Sequence, residues 1–399
     1  MEQTTARSYG FHSDGQEIIA GAEVISRIGE TVDSQGGRRV MICCGPHVLA
    51  ESNVVLRAEA ALGSRLVGRF SGVLPHSSLE SLAAATEATR VMRPDVIVSV
   101  GGGSTVTIAK GAALLMNTDR DVRDFRIKFL PPDEIVKPSF RYPEVTAGIL
   151  AIGTTMGCAE IGSSGGGFAD AVRQEKLIIS ANGSTRPRTV FCDGEALVTT
   201  PDLIQRSTTA GQLRVAIESF ITRRHNPVGD GLAIHAIRLL CDAIEETWRR
   251  DPHYLLRIKM AAVLASTAMG AVGTLGVNSA IAHQLGAITG ASHGSLNAVL
   301  LPHTLRYGLI AVPLERRQML ANALGMRVPS EPRLNGALVD KVSEIFQSLE
   351  LPGRLRDLSV ARSLFPAVAQ ATLDDRALWG SARVVKSVAP IIEILESAW

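Results

Sequence analysis

Apolar residues change their spacing partway along this chain, and the change predicts two regions of different architecture. Before residue 195, short β-branched runs alternate with segments whose apolar residues recur at helical spacing. The predicted strands are 39–44, 96–100, 145–152 and 189–192, and the predicted helices are 79–92 and 107–116. Because strands alternating with helices favour a parallel sheet with helical crossovers, we expect an α/β domain over residues 1–195. The connections at 120–141 and 162–176 are expected to be long loops.

The second half of the chain has a different pattern. After Pro201, apolar residues follow the helical period almost without interruption. The predicted helices are 213–222, 231–247, 255–275, 297–309, 316–324 and 338–349. We therefore expect an all-α helical domain over residues 196–399, with the binding site in a cleft between the two domains.

One segment of this helical region has the length of a membrane span. No charged residue occurs between Lys259 and His283. The segment is nevertheless rich in Ala, Gly, Ser and Thr and contains Asn278, a composition typical of a helix packed inside a soluble core. We expect no association with a membrane.

Composition excludes several classes of protein. The chain has 399 residues, of which 46% are hydrophobic, so it is long and apolar enough to bury large cores. Lys and Arg number 41 against 39 Asp and Glu, a net charge of +2 that gives no electrostatic reason to expect nucleic acid as a partner. We expect a small-molecule substrate.

The cysteines and the N-terminus indicate the compartment. The odd number of cysteines and the lack of any C-x-x-C pair predict reduced thiols in a cytoplasmic protein. The cysteines are Cys43, Cys44, Cys158, Cys192 and Cys241. The first residues contain no apolar run of the kind that a secretory signal requires.

Residues 96–110 have the sequence pattern of a phosphate-binding turn. A β-branched run meets Gly101, Gly102 and Gly103, then Ser104, and a helical pattern continues to Lys110. Glycines allow the backbone to approach a pyrophosphate, and the N–H groups of the following helix supply donors and a positive dipole. Ser104 stands where an N-cap or a phosphate-binding hydroxyl is expected. A plain tight turn remains the alternative, because the spacing matches neither the G-x-G-x-x-G nor the Walker pattern.

Several motifs, specific only in combination, resemble a known family. They are Gly101–Ser104, Ala109 with Lys110, Thr154 with Thr155, Glu160, residues 186–193 and residues 216–218. Together they resemble the iron-containing alcohol dehydrogenase superfamily, with its dehydroquinate synthase-like fold, over most of the chain. Within the superfamily the chain resembles the maleylacetate reductase branch, because the spacing from Thr154 to Glu160 is short and residues 186–201 resemble that branch's strand into the helical domain.

The resemblance implies a dinucleotide-binding α/β domain, a helical domain that holds metal and substrate, and hydride exchange between a nicotinamide and a carbonyl or alcohol carbon. It also implies a homodimer. The residues expected to bind the cofactor are Gly45, Gly101, Gly102, Gly103, Ser104, Thr107, Lys110, Thr154 and Thr155. After residues 42–44 the chain has Gly45, where many relatives that use NAD place an Asp on the ribose. The missing carboxylate predicts that NADPH is tolerated or preferred as the cofactor. His76 opens a predicted helix and is interpreted either as a cofactor contact or as a turn residue.

The chain departs from the metal-dependent members at the metal. Those members have an Asp and, four residues later, a His on the helix before the motif at 216–218; here Gly211 and Val215 occupy these positions. Ser279 takes the place of a third ligand, and only His293 remains. One imidazole cannot hold a divalent ion that needs three or four donors. We therefore expect no catalytic metal.

Without a metal, the carbonyl oxygen that receives negative charge needs another partner. His283 and His293, ten residues apart around an expected turn at 285–286, are interpreted through the resemblance as proton donor and oxyanion partner. The alternative is a pair of hydrogen-bonded core histidines. Arg214, one residue before the lost His position, is predicted either to replace the metal's charge and hold a carboxylate or to be an exposed helix arginine.

These observations leave two functions of different classes. The first is a metal-independent, NAD(P)H-dependent reductase of a small oxo acid or enone. The second is a fold reused for non-redox chemistry, such as a lyase, dehydratase or cyclase, or for binding alone.

Overall fold

The strands of the N-terminal region lie in one parallel sheet. The computed structural model describes residues 15–131, 133–161, 165–173, 175–181 and 183–399. The strands are β1 Glu17–Gly21, β2 Val40–Cys44, β3 Leu66–Phe70, β4 Val96–Gly101, β5 Lys128–Leu130, β6 Glu134–Val136, β7 Gly148–Gly153, β8 Gly166–Asp170, β9 Glu175–Ile179 and β10 Thr189–Asp193. Six of them form the sheet, in the order β1-β10-β7-β4-β2-β3, and the other four form two antiparallel hairpins, β5 with β6 and β8 with β9.

The helices are more numerous than the pattern predicts. In the first half they are α1 Ile28–Ser34, α2 Pro46–Glu51, α3 Val54–Leu62, α4 Leu79–Met92, α5 Gly103–Leu115 and α6 Gly194–Val198. In the second half they are α7 Asp202–Ile221, α8 Pro227–Glu245, α9 Pro252–Val272, α10 Val277–Thr289, α11 His293–Gly308, α12 Leu314–Ala323, α13 Glu331–Ser348, α14 Phe365–Thr372 and α15 Ala389–Ala398. The predicted fold class, a parallel α/β region followed by a helical region, is confirmed.

Several predicted details are wrong. The sheet contains two strands that the pattern did not identify, β1 and β3, so the strand ending at Cys44 is the second strand and not the first. The expected long loops each contain a hairpin, although residues 132, 162–164 and 174 lie outside the described residues, as do the N-terminal residues 1–14. Short antiparallel hairpins are missed because each strand has only three to five residues, too few to show a period.

Caps, rather than the apolar period, decide where the helices begin and end. Asp251 accepts a hydrogen bond from the backbone N–H of Tyr254 and begins α9 three residues before the predicted start. The uncharged segment after Lys259 is divided into α9 and α10, because Gly273 (φ 75°) closes α9 in the left-handed conformation. The expected turn at 285–286 lies inside α10, and the chain turns instead at Gly290 (φ 69°).

Among the described residues, α9 is the one helix long and apolar enough to cross a membrane. It packs against α7, α8 and β10, and its residue Lys259 is fully buried and paired with Glu160 of the N-terminal region. A core helix of a soluble domain passes the same test of length and composition. These contacts are those of a core helix.

Candidate active site

The glycine triplet forms a strand-to-helix turn at the carboxyl end of the sheet. Gly101 ends β4 with a φ of +145°, and a Cβ there would lie 2.6 Å from Thr105 Oγ1, so only glycine fits without strain. Gly102 caps α5, and Ser104 is the second residue of the helix rather than its N-cap. The first-turn N–H groups of α5 therefore point out of the sheet edge, as a phosphate site requires.

The turn after β7 lies directly against this strand-to-helix turn. The backbone N–H of Thr154 donates to Gly101 O (3.0 Å), and a Cβ on Gly102 would lie 3.1 Å from the methyl group of Thr155. Gly45, which caps α2, follows the neighbouring strand β2. The structure thus places Gly45, the triplet and both threonines at one edge of the sheet.

Two buried lysines hold this turn in place. Lys110 Nζ donates to the carbonyl oxygen of Ala159 (2.7 Å), and burial lowers the pKa of Lys110 to about 8. Lys259 Nζ donates to Thr155 O (2.8 Å) and to Glu160 Oε1 (2.5 Å). Direct contact between Lys110 and a dinucleotide stays a prediction. The contact that the structure shows, with Ala159 O, positions the turn after β7.

Thr107 packs against β8. It is buried on α5, where its methyl group would lie 2.7 Å from a Cβ on Gly166. The close approach packs α5 against β8. Its predicted contact with the cofactor is not among the contacts of the described residues, so that role also stays a prediction.

The two predicted histidines lie together. The rings of His283 and His293 are stacked, with centroids 5.4 Å apart and planes within 7°. His283 Nδ1 is hydrogen-bonded to Asp375 Oδ2 at 2.9 Å, and the Asp375 carboxylate is fully buried. This bond fixes the ring and leaves Nε2 as the nitrogen directed away from Asp375.

His293, the first residue of α11, keeps solvent access but has protein packed closely around it. Desolvation by that protein lowers the pKa of His293 well below its ordinary value, and His283, Arg214 and Lys176 act in the same direction. Its imidazole is therefore neutral at physiological pH. Neither histidine is enclosed in a core, so the two lie at an accessible surface.

Arg214 is buried, with 4% of its surface exposed, and is not the exposed helix arginine of the alternative interpretation. Its Nη1 donates to Glu218 Oε2 (3.1 Å) and to Ser279 Oγ (2.5 Å). Ser279 Oγ donates in turn to Glu218 Oε2 (2.6 Å), and Glu218 Oε1 accepts the backbone N–H of Asn278 (3.1 Å). Arg214 and Ser279 are therefore in one buried network.

Two further residues join the N-terminal region to the histidines. Lys176 on β9 donates from Nζ to His76 O (3.0 Å), and its backbone N–H donates to Gln284 Oε1 (3.3 Å) on α10. His76 has a φ of +63°, a strained conformation for a residue with a side chain, and strain of this kind is concentrated at functional sites. Burial lowers the pKa of Lys176 to about 8.

Sequence reasoning missed Asp375 and Lys176. Asp375 lies 92 positions from His283 along the chain, as the N-cap of a short 3-10 helix, and no local pattern connects the two residues. The predicted loop at 162–176 hid Lys176, which the hairpin of β8 and β9 brings to the histidines. A buried acid opposite a candidate histidine is visible only in three dimensions.

Two family descriptions match nearly the whole chain. Residues 15–194 match "Iron-containing alcohol dehydrogenase", and residues 208–399 match "Fe-containing alcohol dehydrogenase family, C-terminal". The chain belongs to the iron-containing alcohol dehydrogenase family. This confirms the resemblance seen in the motifs.

Relatives in this family match most of the length of the chain. Lactaldehyde reductase of Escherichia coli (strain K12) is 28% identical over 334 residues, covering 83% of this chain and 84% of the relative. A solved structure of 1,3-propanediol oxidoreductase has a TM-score of 0.85 at 25% identity, covering 98% of this chain and 100% of that one. Maleylacetate reductase from Agrobacterium tumefaciens shares the fold, with a TM-score of 0.76 at 21% identity and 98% coverage of both chains. The chain is therefore an oxidoreductase of the NAD(P)-dependent alcohol and aldehyde dehydrogenase type.

The site does not fit the metal that gives the iron-containing alcohol dehydrogenases their name. Gly211 and Val215 offer no donor, and a Cβ on Gly211 would lie 3.9 Å from the Cα of Gly294, so this position does face the helix of His293. Ser279 is bonded to the Arg214 guanidinium, a cation that repels a divalent ion. Within the described ranges, no group of three or more His, Cys, Asp or Glu side chains is arranged to hold a metal ion.

Proposed function

We propose that this member of the family is a metal-independent reductase that uses NAD(P)H to reduce a small carbonyl compound, an oxo acid or an enone. The observation that supports it is the stacked pair of His283 and His293, anchored by Asp375 and lying near Arg214 where metal ligands are absent. A stacked pair of imidazoles and a guanidinium can together supply the proton and the positive charge that a metal otherwise supplies.

The cofactor fits the carboxyl edge of the sheet. A side chain at Gly101 would strike Thr105, and one at Gly102 would crowd Thr155, so the backbone there is bare enough for a pyrophosphate. The triplet and the first turn of α5 would hold the phosphates, and Thr155 lies beside them. When bound, the reduced nicotinamide supplies a hydride to the substrate carbon. Gly45 presents no carboxylate that would repel a 2′-phosphate, which favours acceptance of NADPH.

The side chains stabilise the negative charge on the carbonyl oxygen and supply its proton. As the carbon gains the hydride and its two electrons, the π-electron pair of the C=O bond moves to oxygen, which must gain one proton to give the alcohol. His283 is the proton donor in this proposal, because its bond to Asp375 orients the ring and leaves Nε2 directed away from the carboxylate. His293, stacked on His283, is the partner of the oxygen in this proposal, and Arg214 adds positive charge nearby. In an enone the hydride adds to the β-carbon, and the charge again collects on oxygen.

The test is turnover by metal-stripped protein. After dialysis against a chelator, oxidation of NADH and NADPH is followed with small oxo acids and enones as substrates. We expect turnover without added metal, and a loss of about 10²- to 10⁴-fold in kcat in His283→Ala and in His293→Ala, the range of general acid–base catalysis. His253→Ala, at an exposed position at the start of α9, is the matched control and keeps full turnover.

Three results would contradict the proposal. Turnover that appears only after addition of Fe²⁺ or Zn²⁺ would show that the reaction needs a metal. Full turnover in both histidine variants would overturn the assignment of these residues. Tight binding of NADPH with no hydride transfer to any substrate would favour the non-redox or binding alternative.

A further inference from the structure

The guanidinium of Arg214 uses only one of its three nitrogens. Nη1 makes both hydrogen bonds, to Glu218 and to Ser279, while Nε is buried and has no partner. Within the described part of the chain, Nη2 donates no hydrogen bond either. Nε and Nη2 lie on the same edge of the guanidinium plane. One complete edge of a buried cation is therefore unused.

The buried Nε–H of Arg214 is costly to the fold unless something binds it. A buried N–H group without a partner loses about 1–3 kcal/mol relative to water, and more when the donor is charged. The Nε–Nη2 edge presents two parallel N–H groups whose spacing matches the two oxygens of a carboxylate. The guanidinium is therefore held at one end and prepared to bind a planar anion at its side.

A second buried group near the network is also unpartnered. Asn297 is fully buried, and neither its Oδ1 nor its Nδ2 makes a hydrogen bond within the described residues. It follows His293 by four residues on α11 and so shares its face. The backbone carbonyl oxygen of Asn297 accepts from Asn278 Nδ2 (3.2 Å), and Asn278 is the neighbour of Ser279. An additional amide donor thus lies on the same side of the helix pair as the histidines.

Glu218 does not compete for this edge. Its two oxygens are occupied by Arg214 Nη1, by Ser279 Oγ and by the backbone N–H of Asn278. A Cβ on Gly276 would lie 2.6 Å from Glu218 Oε1, so the backbone also confines the carboxylate. The acid neutralises one end of the guanidinium and is fixed there.

We propose that the Nε–Nη2 edge of Arg214 binds a carboxylate of the substrate, so that this enzyme acts on small oxo acids in preference to neutral carbonyl compounds. The inference rests on the proposed function, since the carbonyl next to that carboxylate is the group reduced at His283 and His293. It adds the class of substrate and the residue that selects it.

Paired substrates test the inference. Reduction of pyruvate and 2-oxobutyrate is compared with reduction of methyl pyruvate and propanal, using NADPH and metal-stripped protein. We expect kcat/KM for the acids to exceed that for the neutral compounds by about 100-fold, as for a charge-assisted bidentate pair. Arg214→Lys keeps the positive charge but removes the forked edge, and should abolish the preference by lowering kcat/KM for the acids about 100-fold more than kcat/KM for propanal.

Binding gives a readout that does not need turnover. Titration of oxamate, a non-reducible carboxylate amide, into the protein with NADPH present should give a dissociation constant about 100-fold lower for wild type than for Arg214→Lys. Because single replacements break a buried ion pair, the double variant with Arg214→Met and Glu218→Gln removes both charges and keeps a neutral interior. Arg316→Lys alters a bidentate arginine pair with Asp230 elsewhere and is the matched control.

The outcomes separate the two claims. If wild type reduces acids and neutral compounds equally, and oxamate binds wild type and Arg214→Lys alike, the inference about Arg214 is wrong while the proposed reductase stands. If no compound is reduced but oxamate binding still depends on Arg214, the reductase is wrong and the anion site stands. A folded double variant, shown by a cooperative melting transition, that keeps the preference for acids also overturns the inference.

Discussion

Replacing Asp375 with Asn should slow turnover by about 10- to 100-fold while leaving the affinity for NADPH unchanged. The carboxylate has no exposed surface and accepts three hydrogen bonds. Oδ2 accepts from His283 Nδ1 (2.9 Å) and from Gln284 Nε2 (3.0 Å), and Oδ1 accepts from the backbone N–H of Ala377 (2.9 Å). Oδ2 therefore holds the two side chains, and Oδ1 caps the 3-10 helix.

An Asn side chain has the same shape but only one acceptor. If its oxygen keeps the bond to Ala377, its NH₂ group faces the donors of His283 and Gln284, and both bonds are lost. In the flipped orientation the NH₂ group faces the N–H of Ala377. A hydrogen bond to a charged group contributes about 1.5–3 kcal/mol, which at 1.4 kcal/mol per factor of ten corresponds to about 10- to 100-fold in rate.

The assay separates positioning from folding. We expect kcat to fall with little change in KM, because Asp375 orients His283 and touches no substrate. Nitrogen NMR of the His283 ring should show a changed tautomer, a signature that a merely structural role would not give. Asp121→Asn is the control, because the exposed Asp121 caps a 3-10 helix in the same way, by accepting the backbone N–H of Arg123 (2.7 Å). If kcat stays within about twofold of wild type in a folded Asp375→Asn protein, Asp375 does not act through His283.

Two other predictions concern stability. Burial disfavours the ammonium form of Lys110 and lowers its pKa to about 8, against an ordinary 10.5. The buried ammonium therefore lowers the free energy of unfolding in full below pH 8. This loss of stability is relieved as pH rises from 8 toward 10.5. The stability advantage of Lys110→Met over wild type should shrink by about 2 kcal/mol between pH 7 and pH 9.5 in urea unfolding, and an advantage independent of pH would refute this. Gly294→Ala should destabilise the protein by about 1–3 kcal/mol and reduce turnover, because its Cβ would lie 2.4 Å from Ser207 O on α7. Gly336→Ala in α13 meets no atom within 4 Å and should stabilise by about 0.5–1 kcal/mol in thermal melts; equal melting temperatures for the two variants would show the close contact to be absent.

The sequence predicts best those elements that are determined by residues close together along the chain. Only Gly102 separates β4 from α5, so the order of strand, glycines and helix indicates the phosphate turn. The strand β1 was missed because its pairing partner, β10, lies about 170 residues away and the strand itself shows only three apolar residues. A local period cannot show a bond of that range.

The candidate site shows the same limit. The positions of His283 and His293 came from the family resemblance, whereas their stacking depends on a turn at Gly290 that the pattern placed four residues too early. The burial of Arg214 could not be read from the sequence, because an arginine among apolar helix residues looks the same whether it faces solvent or a partner. The partners that decide the question, Glu218 and Ser279, lie 4 and 65 positions away.

The residues at the three lost metal-ligand positions are better explained by selection for a different chemistry than by loss of function. Loss of function would leave side chains that do not interact with one another at the former ligand positions. A buried arginine introduced there without a partner would destabilise the fold by several kcal/mol. Here Ser279, which stands in a ligand position, is bonded to both Arg214 and Glu218, and the three form a closed network. Stability alone does not account for it, since apolar residues of similar volume commonly serve as well as a buried ion pair. A network that fixes one end of a guanidinium and leaves the other end unpaired is consistent with selection for binding an anion.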